Sequence, residues 1–443
     1  MDVNDERSHG RAAWIGLAAT LILVAAAVAV PLATGWHVHA RAHTSSGIAP
    51  LHSLWDPTVG PGTAPAALIA VLGVVWMPSL AERLSWRRLL ITGYTVGAGW
   101  LLSLALVDGP SGLSRVLGNP DEYLRTARQV DDVPALLSEY ISRIPLHASG
   151  HWPVHVAGHP PGMVLFFVAL VRVGLGGDLA AGVVVTLISA TLPLAVVTTL
   201  RALGQEPAAR RAMPFLVLTP AAVFLAVSAD AVMAAAVAWG LACIAVATCR
   251  GPARGWPWAV LGGLLYGAAV MMSYGLPLAA LLVLAVLLAA RSWWPLLPSA
   301  AAGLAVVLAF AAAGFAWWSA YPVLATRYWD GIASARPAAY WLWGDLAALA
   351  ISAGPVVGAG VATAWHRRRD ETAVALLVAA AVLAVALADL SRMSKAEVER
   401  IWLPFVPWLT LGLAILPAAW RRPALAGQVL TALVVQHLLY TSW

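Results

Sequence analysis

The chain has 443 residues, 61% of them hydrophobic and 11% charged, with a net charge of +6. Charged residues make up about a quarter of an ordinary soluble domain, so this composition excludes one and points to a polytopic helical membrane protein. The positive balance is not a nucleic-acid footprint: arginines sit in short loops beside apolar runs, as in Arg83-Leu84-Ser85-Trp86-Arg87-Arg88, His366-Arg367-Arg368-Arg369 and Trp420-Arg421-Arg422, where the positive-inside rule puts them.

In chain order, apolar segments are read at about 13–34, 63–81, 88–107, 161–175, 179–200, 212–228, 230–248, 257–273, 275–291, 295–318, 344–364, 372–390, 401–417 and 423–440. Many approach the roughly 20 residues that a bilayer crossing needs. The expected fold is an all-α transmembrane bundle of about 13–14 hydrophobic segments, since the alternating strands of a membrane barrel are absent. Residues 1–87 are read as N-terminal spans, 88–417 as a membrane core that includes the external loop 108–160, and 418–443 as a last span. The first span lacks a small-residue cleavage site and is read as uncleaved. Many of the 22 Trp flank spans and suit interfacial belts. Cys243 and Cys249 lie six apart on one predicted helix, so they neither pair nor build a metal cluster.

The basic loops assign 1–12, 82–88, 201–211, 249–256, 364–371 and 418–423 to the cytoplasm. If 161–175 and 179–200 both crossed, the Arg201–Arg211 loop would land outside. A partial, re-entrant 161–175 removes the conflict, and non-helical backbone at that depth is tolerated where protein or a wet cavity surrounds it. Four polar segments then share the extracytoplasmic face: 108–160, Ser228-Ala229-Asp230, 319–343 and Ser391 to Arg400.

The 108–160 island is too long for a bare connector. It contains Asn119-Pro120-Asp121-Glu122-Tyr123 and ends in Trp152-Pro153-Val154-His155-Val156-Ala157-Gly158-His159-Pro160-Pro161-Gly162. Asp121 and Glu122 either cap a loop helix or supply a carboxylate base that deprotonates an acceptor hydroxyl. His155 and His159 are four apart, but Pro160-Pro161 breaks any helix there, and no third zinc ligand is evident. Asp230 interrupts an apolar run, which at membrane depth costs roughly 3 kcal/mol; it caps the next helix or faces a wet site. Tyr274 lies in a turn, Tyr274-Gly275-Leu276-Pro277. Arg327, Asp330 and Arg336 stand among aromatics, which stack on sugar rings while Arg grips phosphate. Asp389, Arg392, Lys395, Glu397, Glu399 and Arg400 gather at a span mouth. They are read either as internal ion pairs or as an anion site for a lipid phosphate.

In that order and spacing, Pro120-Asp121-Glu122-Tyr123, Gly158-His159-Pro160-Pro161-Gly162, Ser228-Ala229-Asp230-Ala231, Ser273-Tyr274-Gly275 and Glu399-Arg400-Ile401-Trp402-Leu403-Pro404 resemble the landmarks of the GT-C superfamily. These are membrane glycosyltransferases that use polyprenyl-phosphate sugars; the protein O-mannosyltransferase and lipid A aminoarabinose transferase branch is the most similar. The resemblance covers roughly 88–415. It implies Asp121 as catalytic base with Glu122 beside it, and His155, His159, Asp230, Tyr274, Arg327 and Asp330 around the substrates. It implies Lys395, Glu399 and Arg400 at the donor phosphate. The implied reaction is inverting transfer of a sugar from a polyprenyl-phosphate donor to a glycan, lipid or protein acceptor of the cell envelope. The site would lie on the outer side of the plasma membrane among its lipids, with no nucleic acid and no supported need for a divalent metal. The chain departs from the pattern in having Gly162 for the usual Leu and no Lys before Tyr274. Two extra spans come first, which makes Asp56 a rival base, and no large soluble C-terminal domain is present. The rival readings are a transporter or flippase of lipid-linked sugars and a non-catalytic membrane partner; the matched broken helices of an inverted-repeat transporter are not apparent.

Overall fold

The computed structural model describes residues 3–41 and 47–441. It is a helical bundle with one two-stranded sheet. The named helices are α1 (Val3–Thr34), α2 (Thr63–Arg83), α3 (Trp86–Ala105), α4 (Gly162–Arg172), α5 (Asp178–Ser189), α6 (Leu192–Ala202) and α7 (Glu206–Val217). They continue with α8 (Ala229–Val270), α9 (Ala280–Ala290), α10 (Leu296–Ala312), α11 (Trp317–Trp329), α12 (Ala338–Ser352), α13 (Val357–His366), α14 (Thr372–Ser391) and α15 (Ala418–Leu438).

Six helical stretches among the described residues are long and apolar enough to cross a membrane, or eight if two bent pairs each count as one. That is fewer than the 13–14 segments read from hydropathy, because hydropathy does not record where a helix breaks. The expected span 212–228 is interrupted: α7 ends at Val217, and a turn at Thr219-Pro220 separates it from Ala222–Leu225. The expected span 344–364 bends by 98° between α12 and α13, at Gly354, whose φ is +86°. There the Gln428 side-chain amide donates to the Ala353 carbonyl at 2.6 Å, meeting an acceptor that the break frees. The chain bends by 73° between α10 and α11. The expected spans 230–248 and 257–273 are the two arms of α8, reversed at Gly251 (φ +70°, ψ 171°).

On α2, Leu68, Val71, Val75 and Trp76 are exposed while Ala66, Ala70, Gly73, Met77 and Ala81 are buried. This inverts a soluble helix: the large side chains face outward and the small ones pack. Helices in lipid gain little from hydrophobic burial, so association depends on close backbone approach at small residues. The second arm of α8 meets α10 in this way. A Cβ at Gly263 would lie 2.1 Å from the Ser299 carbonyl oxygen.

The bundle has two polar ends. At one, Arg210 donates to the carbonyls of Ala81 (2.9 Å) and Leu84 (2.8 Å), and the Arg201 guanidinium lies 4.4 Å from the Trp86 ring centre. Arg211, Arg367 and Arg421 donate to the successive carbonyls of Ala414, Ile415 and Leu416, where cations suit the negative end of a helix dipole. The loops 82–88, 201–211, 366–371 and 414–422 therefore meet at one end, the grouping the basic residues predict.

Segment 161–177 does not reach that end. Helix α4 has 11 residues, about 16 Å at 1.5 Å per residue, roughly half a hydrocarbon core. Its Phe167 stacks under Tyr123, and Arg128 holds Gly176 and Asp178 beyond it. The chain thus returns beneath the loop it left, and α5 and α6 then run to the basic end.

Strand β1 (Ser53–Trp55) pairs antiparallel with β2 (Leu439–Thr441), which was not expected. Arg41 and Arg115 lie over the Tyr440 ring at 5.9 and 4.7 Å. The sheet ties the loop before α2 to the C-terminal segment, at the end opposite the basic loops.

Candidate functional site

Arg400 is the centre of the opposite end. It lies on the short helix Val398–Ile401 and its side chain is 6% exposed. Nη1 donates to Asp230 Oδ2 at 2.7 Å, and Nη2 contacts Glu397 Oε2 at 3.4 Å and His155 Nε2 at 3.3 Å. One guanidinium thus joins the island, the start of α8 and the 391–400 segment, up to 245 residues apart in sequence.

Local chemistry positions each partner. Ser228 caps α8, its Oγ accepting from the Asp230 amide at 3.1 Å and donating to Asp230 Oδ2 at 3.1 Å. The preceding Val227 sits at φ +67°, and Ala396 and Glu397 at +63° and +64°. Left-handed backbone at non-glycine residues costs of order 1–3 kcal/mol each and persists where the surroundings over-determine it. Here it turns Asp230 and Glu397 toward Arg400. Glu397 also takes Arg336 Nη2 at 3.2 Å. Burial works against its charge, but Arg336 and Arg400 outweigh this and hold it well below the usual carboxylate range.

Glu122 and His155 form the second half. Nδ1 and Oε1 are 2.6 Å apart, with the Glu122 side chain buried and that of His155 largely so. Neutral His155 with its proton on Nδ1 can accept from Arg400 at Nε2; protonated His155 gives up that contact for its ion pair with Glu122. Burial disfavours charge on both groups, yet each holds the other: Glu122 raises His155, and His155 then Arg400 lower Glu122. Signs fix the pH window. A lowered carboxylate stabilises above its ordinary 4.5 and loses that as pH falls through the folded value. A raised His stabilises below its ordinary 6.5 and loses that as pH rises through the folded value. The pair's contribution is complete between about 4.5 and 6.5. Melting temperature measured against pH should therefore fall on both sides of that window, and the difference between wild type and Glu122→Gln should be largest within it. A flat difference would remove the pair from the stability of the fold.

His159 Nδ1 lies 2.8 Å from Tyr123 Oη and 2.9 Å from the His155 carbonyl oxygen. Burial is the first cause that lowers its pKa, so it stays neutral. Gly162 explains a departure noted in the sequence. Its amide donates to the Met271 carbonyl at 2.8 Å, and an added Cβ would lie 2.3 Å from that oxygen. The His-Pro-Pro-Gly landmark thus docks backbone to backbone on Met271, just before the Ser273-Tyr274-Gly275 landmark, with no room for Leu. Gly162→Leu should destabilise by about 1–3 kcal/mol through overpacking; an unchanged unfolding midpoint would show that the docking is loose.

No protein-family model matches this chain, and no curated protein sequence matches it.

The expected site residues divide. Glu122, His155, His159, Asp230, Glu399 and Arg400 converge, Glu399 through Oε1, which accepts from the His52 amide at 3.2 Å. Asp121 is next to them but exposed, its carbonyl accepting from the His155 amide. Glu122 is 5% exposed, too enclosed to meet an acceptor, so it acts on His155. Lys395 is turned inward: Nζ donates to the Arg336 carbonyl at 2.7 Å and lies 4.7 Å from the Trp329 ring centre. With Arg400 neutralised by Asp230 and Glu397, the expected phosphate clamp is closed on itself. Tyr274 joins a different group, with Trp317 and Tyr321. Arg327 reaches the Trp152 carbonyl, and Asp330 is exposed at the end of α11. Among the described residues no group of three or more His, Cys, Asp or Glu could hold a metal ion.

His52 escaped the sequence reading. It shares a loop with Asp56, and burial above all lowers its pKa to about 4, against the pull of Glu397. Its only signal was membership of a polar loop on the predicted outer side.

Proposed function

We propose that this chain is a membrane glycosyltransferase that moves a sugar from a polyprenyl-phosphate donor to a hydroxyl acceptor, at the end of the bundle opposite its basic loops. The observation that carries the reading is the meeting of Asp230, His155 and Glu397 on the Arg400 guanidinium, with Gly162 docked on Met271 alongside. Four of the five segments that resemble GT-C landmarks thereby meet, through Glu122, His159, Asp230 and Arg400, although they are scattered over nearly 300 residues of sequence. A connector or a passive bundle has no need of so many charges at the membrane rim, where each costs free energy.

In this reading Asp121, exposed and one residue from the buried Glu122–His155 pair, takes the proton of the acceptor hydroxyl. The acceptor oxygen bonds to the anomeric carbon, the carbon–oxygen bond to phosphate breaks, and the electron pair leaves on the polyprenyl phosphate. Glu122, His155 and Arg400 keep the loop at a fixed height over Asp230, which suits a reaction that depends on alignment. Asp56 follows β1 and is tied through its backbone to Leu438, which makes it the second choice as base.

The test is direct. Purified full-length protein in lipid nanodiscs is given a panel of hexosyl and pentosyl polyprenyl phosphates with envelope extract as acceptor. Mass spectrometry should find free polyprenyl phosphate and a glycosylated product for at least one donor. If no donor is consumed while the protein remains folded, the reading is wrong.

A further inference from the structure

The charge balance at the site end leads one step further and rests on the transferase reading above. Arg336 and Arg400 are neutralised by Glu397 and Asp230, and Lys395 points inward, so none offers a free cation. Arg143 and Arg327 differ. No carboxylate of a described residue lies within 4.0 Å of either guanidinium, and both are fixed on Trp152. The Trp152 amide donates to the Arg143 carbonyl at 2.9 Å. Arg143 Nε donates to the Gly150 carbonyl at 2.7 Å, and its Cζ lies 3.5 Å from the Trp152 ring centre. That leaves both Nη groups of Arg143 unengaged. Arg327 Nη2 contacts the Trp152 carbonyl at 3.5 Å, while its Nη1 is buried with no hydrogen-bond partner.

The surroundings are also incomplete. Tyr274 Oη and Trp317 Nε1 are buried without partners, their rings are 5.5 Å apart, and Trp317 stacks on Tyr321. Tyr140 stands between this wall and the charged assembly: its ring lies 5.4 Å from Phe315, two residues before Trp317, and 5.2 Å from Trp152, and its hydroxyl donates to the carbonyls of Val156 and His159. Buried polar groups are ordinarily satisfied. A buried Arg327 Nη1 without a partner, two guanidiniums without a salt bridge among the described residues and a neighbouring set of aromatic faces match an anionic headgroup that carries a ring. Guanidinium recognises phosphate with two donors at once, and aromatic faces suit a sugar or the first apolar units of a lipid.

We propose that Arg143 and Arg327, held by Trp152, bind the phosphate of the lipid-phosphate donor, in place of Lys395 and Arg400. Removing either guanidinium then weakens lipid-phosphate binding without opening the Arg400 assembly.

The probe is farnesyl phosphate, with farnesol and inorganic phosphate as controls, titrated onto purified full-length protein in detergent. Arg143→Gln and Arg327→Gln should each weaken farnesyl phosphate about tenfold, or about 1.4 kcal/mol, with farnesol binding unchanged. Arg327→Lys, which keeps a charge but not the fork, should fall between. Thermal unfolding identifies any variant that has merely lost its loop, and the Lys variant then decides. Unchanged farnesyl phosphate affinity in the double variant overturns the proposal. Inorganic phosphate competing as well as farnesyl phosphate overturns the lipid source. If the double variant loses farnesyl phosphate but wild type transfers no sugar, the anion site stands and the transferase reading falls. Sugar transfer undiminished in the double variant does the reverse.

Discussion

Replacing Arg400 with methionine is expected to lower stability by about 3–5 kcal/mol, the cost of breaking a buried ion pair from one side. Methionine approximates the length of the side chain and its apolar stem, so the loss reports charge more than volume. Asp230, 5% exposed in its side chain, would be left with Ser228 alone, and Glu397 with Arg336. A second substitution should reveal the pairing: Asp230→Asn in the Arg400→Met background removes the stranded charge and should restore more than half of the loss. The coupling between the two sites is read from a double-mutant cycle of unfolding midpoints in one detergent. Additive losses would mean that Arg400 is not paired with Asp230 in the folded protein.

The charges themselves were visible in the sequence, and their pairing was not. Asp230 stood out because it interrupts an apolar run, and Arg400 because a cation at a span mouth away from the basic loops needs a reason. Hydropathy carries no record of which partner each selects, so the 391–400 segment left both internal ion pairs and a lipid-phosphate site open. The pairing is made locally, with Ala396 and Glu397 in left-handed conformation, and nothing in Ser-Lys-Ala-Glu-Val-Glu-Arg announces that turn. The same limit applies to architecture. The half-length segment 161–175 was legible because the basic loop 201–211 required it. The breaks at Thr219-Pro220 and Gly354 were not, since both lie inside runs that remain apolar throughout. His52 was missed for a third reason. Its position depends on strand pairing between residues 53–55 and 439–441, a contact between distant segments too short to show period-two alternation.

The neighbouring acids Asp121 and Glu122 should behave as opposites. Asp121 is exposed, and its carboxylate forms no ion pair with a described residue. Asp121→Asn should leave the unfolding midpoint within about 0.5 kcal/mol of wild type, as exposed substitutions usually do. Sugar transfer should fall by about 10²–10⁴-fold, the range for a general base. Glu122→Gln removes the partner of a buried His, so it should cost stability by about 1–3 kcal/mol, the penalty of leaving a buried group unsatisfied. It should also reduce transfer by loosening His155 and, through it, the contact to Arg400. A positioning role predicts that Glu122→Asp, one methylene shorter but still charged, recovers part of both properties, whereas no Asp121 variant needs to affect folding at all. Asp56→Asn supplies the control within the same assay. If Asp56→Asn abolishes transfer while Asp121→Asn does not, the base belongs to the loop before α2. The Glu122–His155 pair would then serve only to hold the 119–160 segment against Arg400.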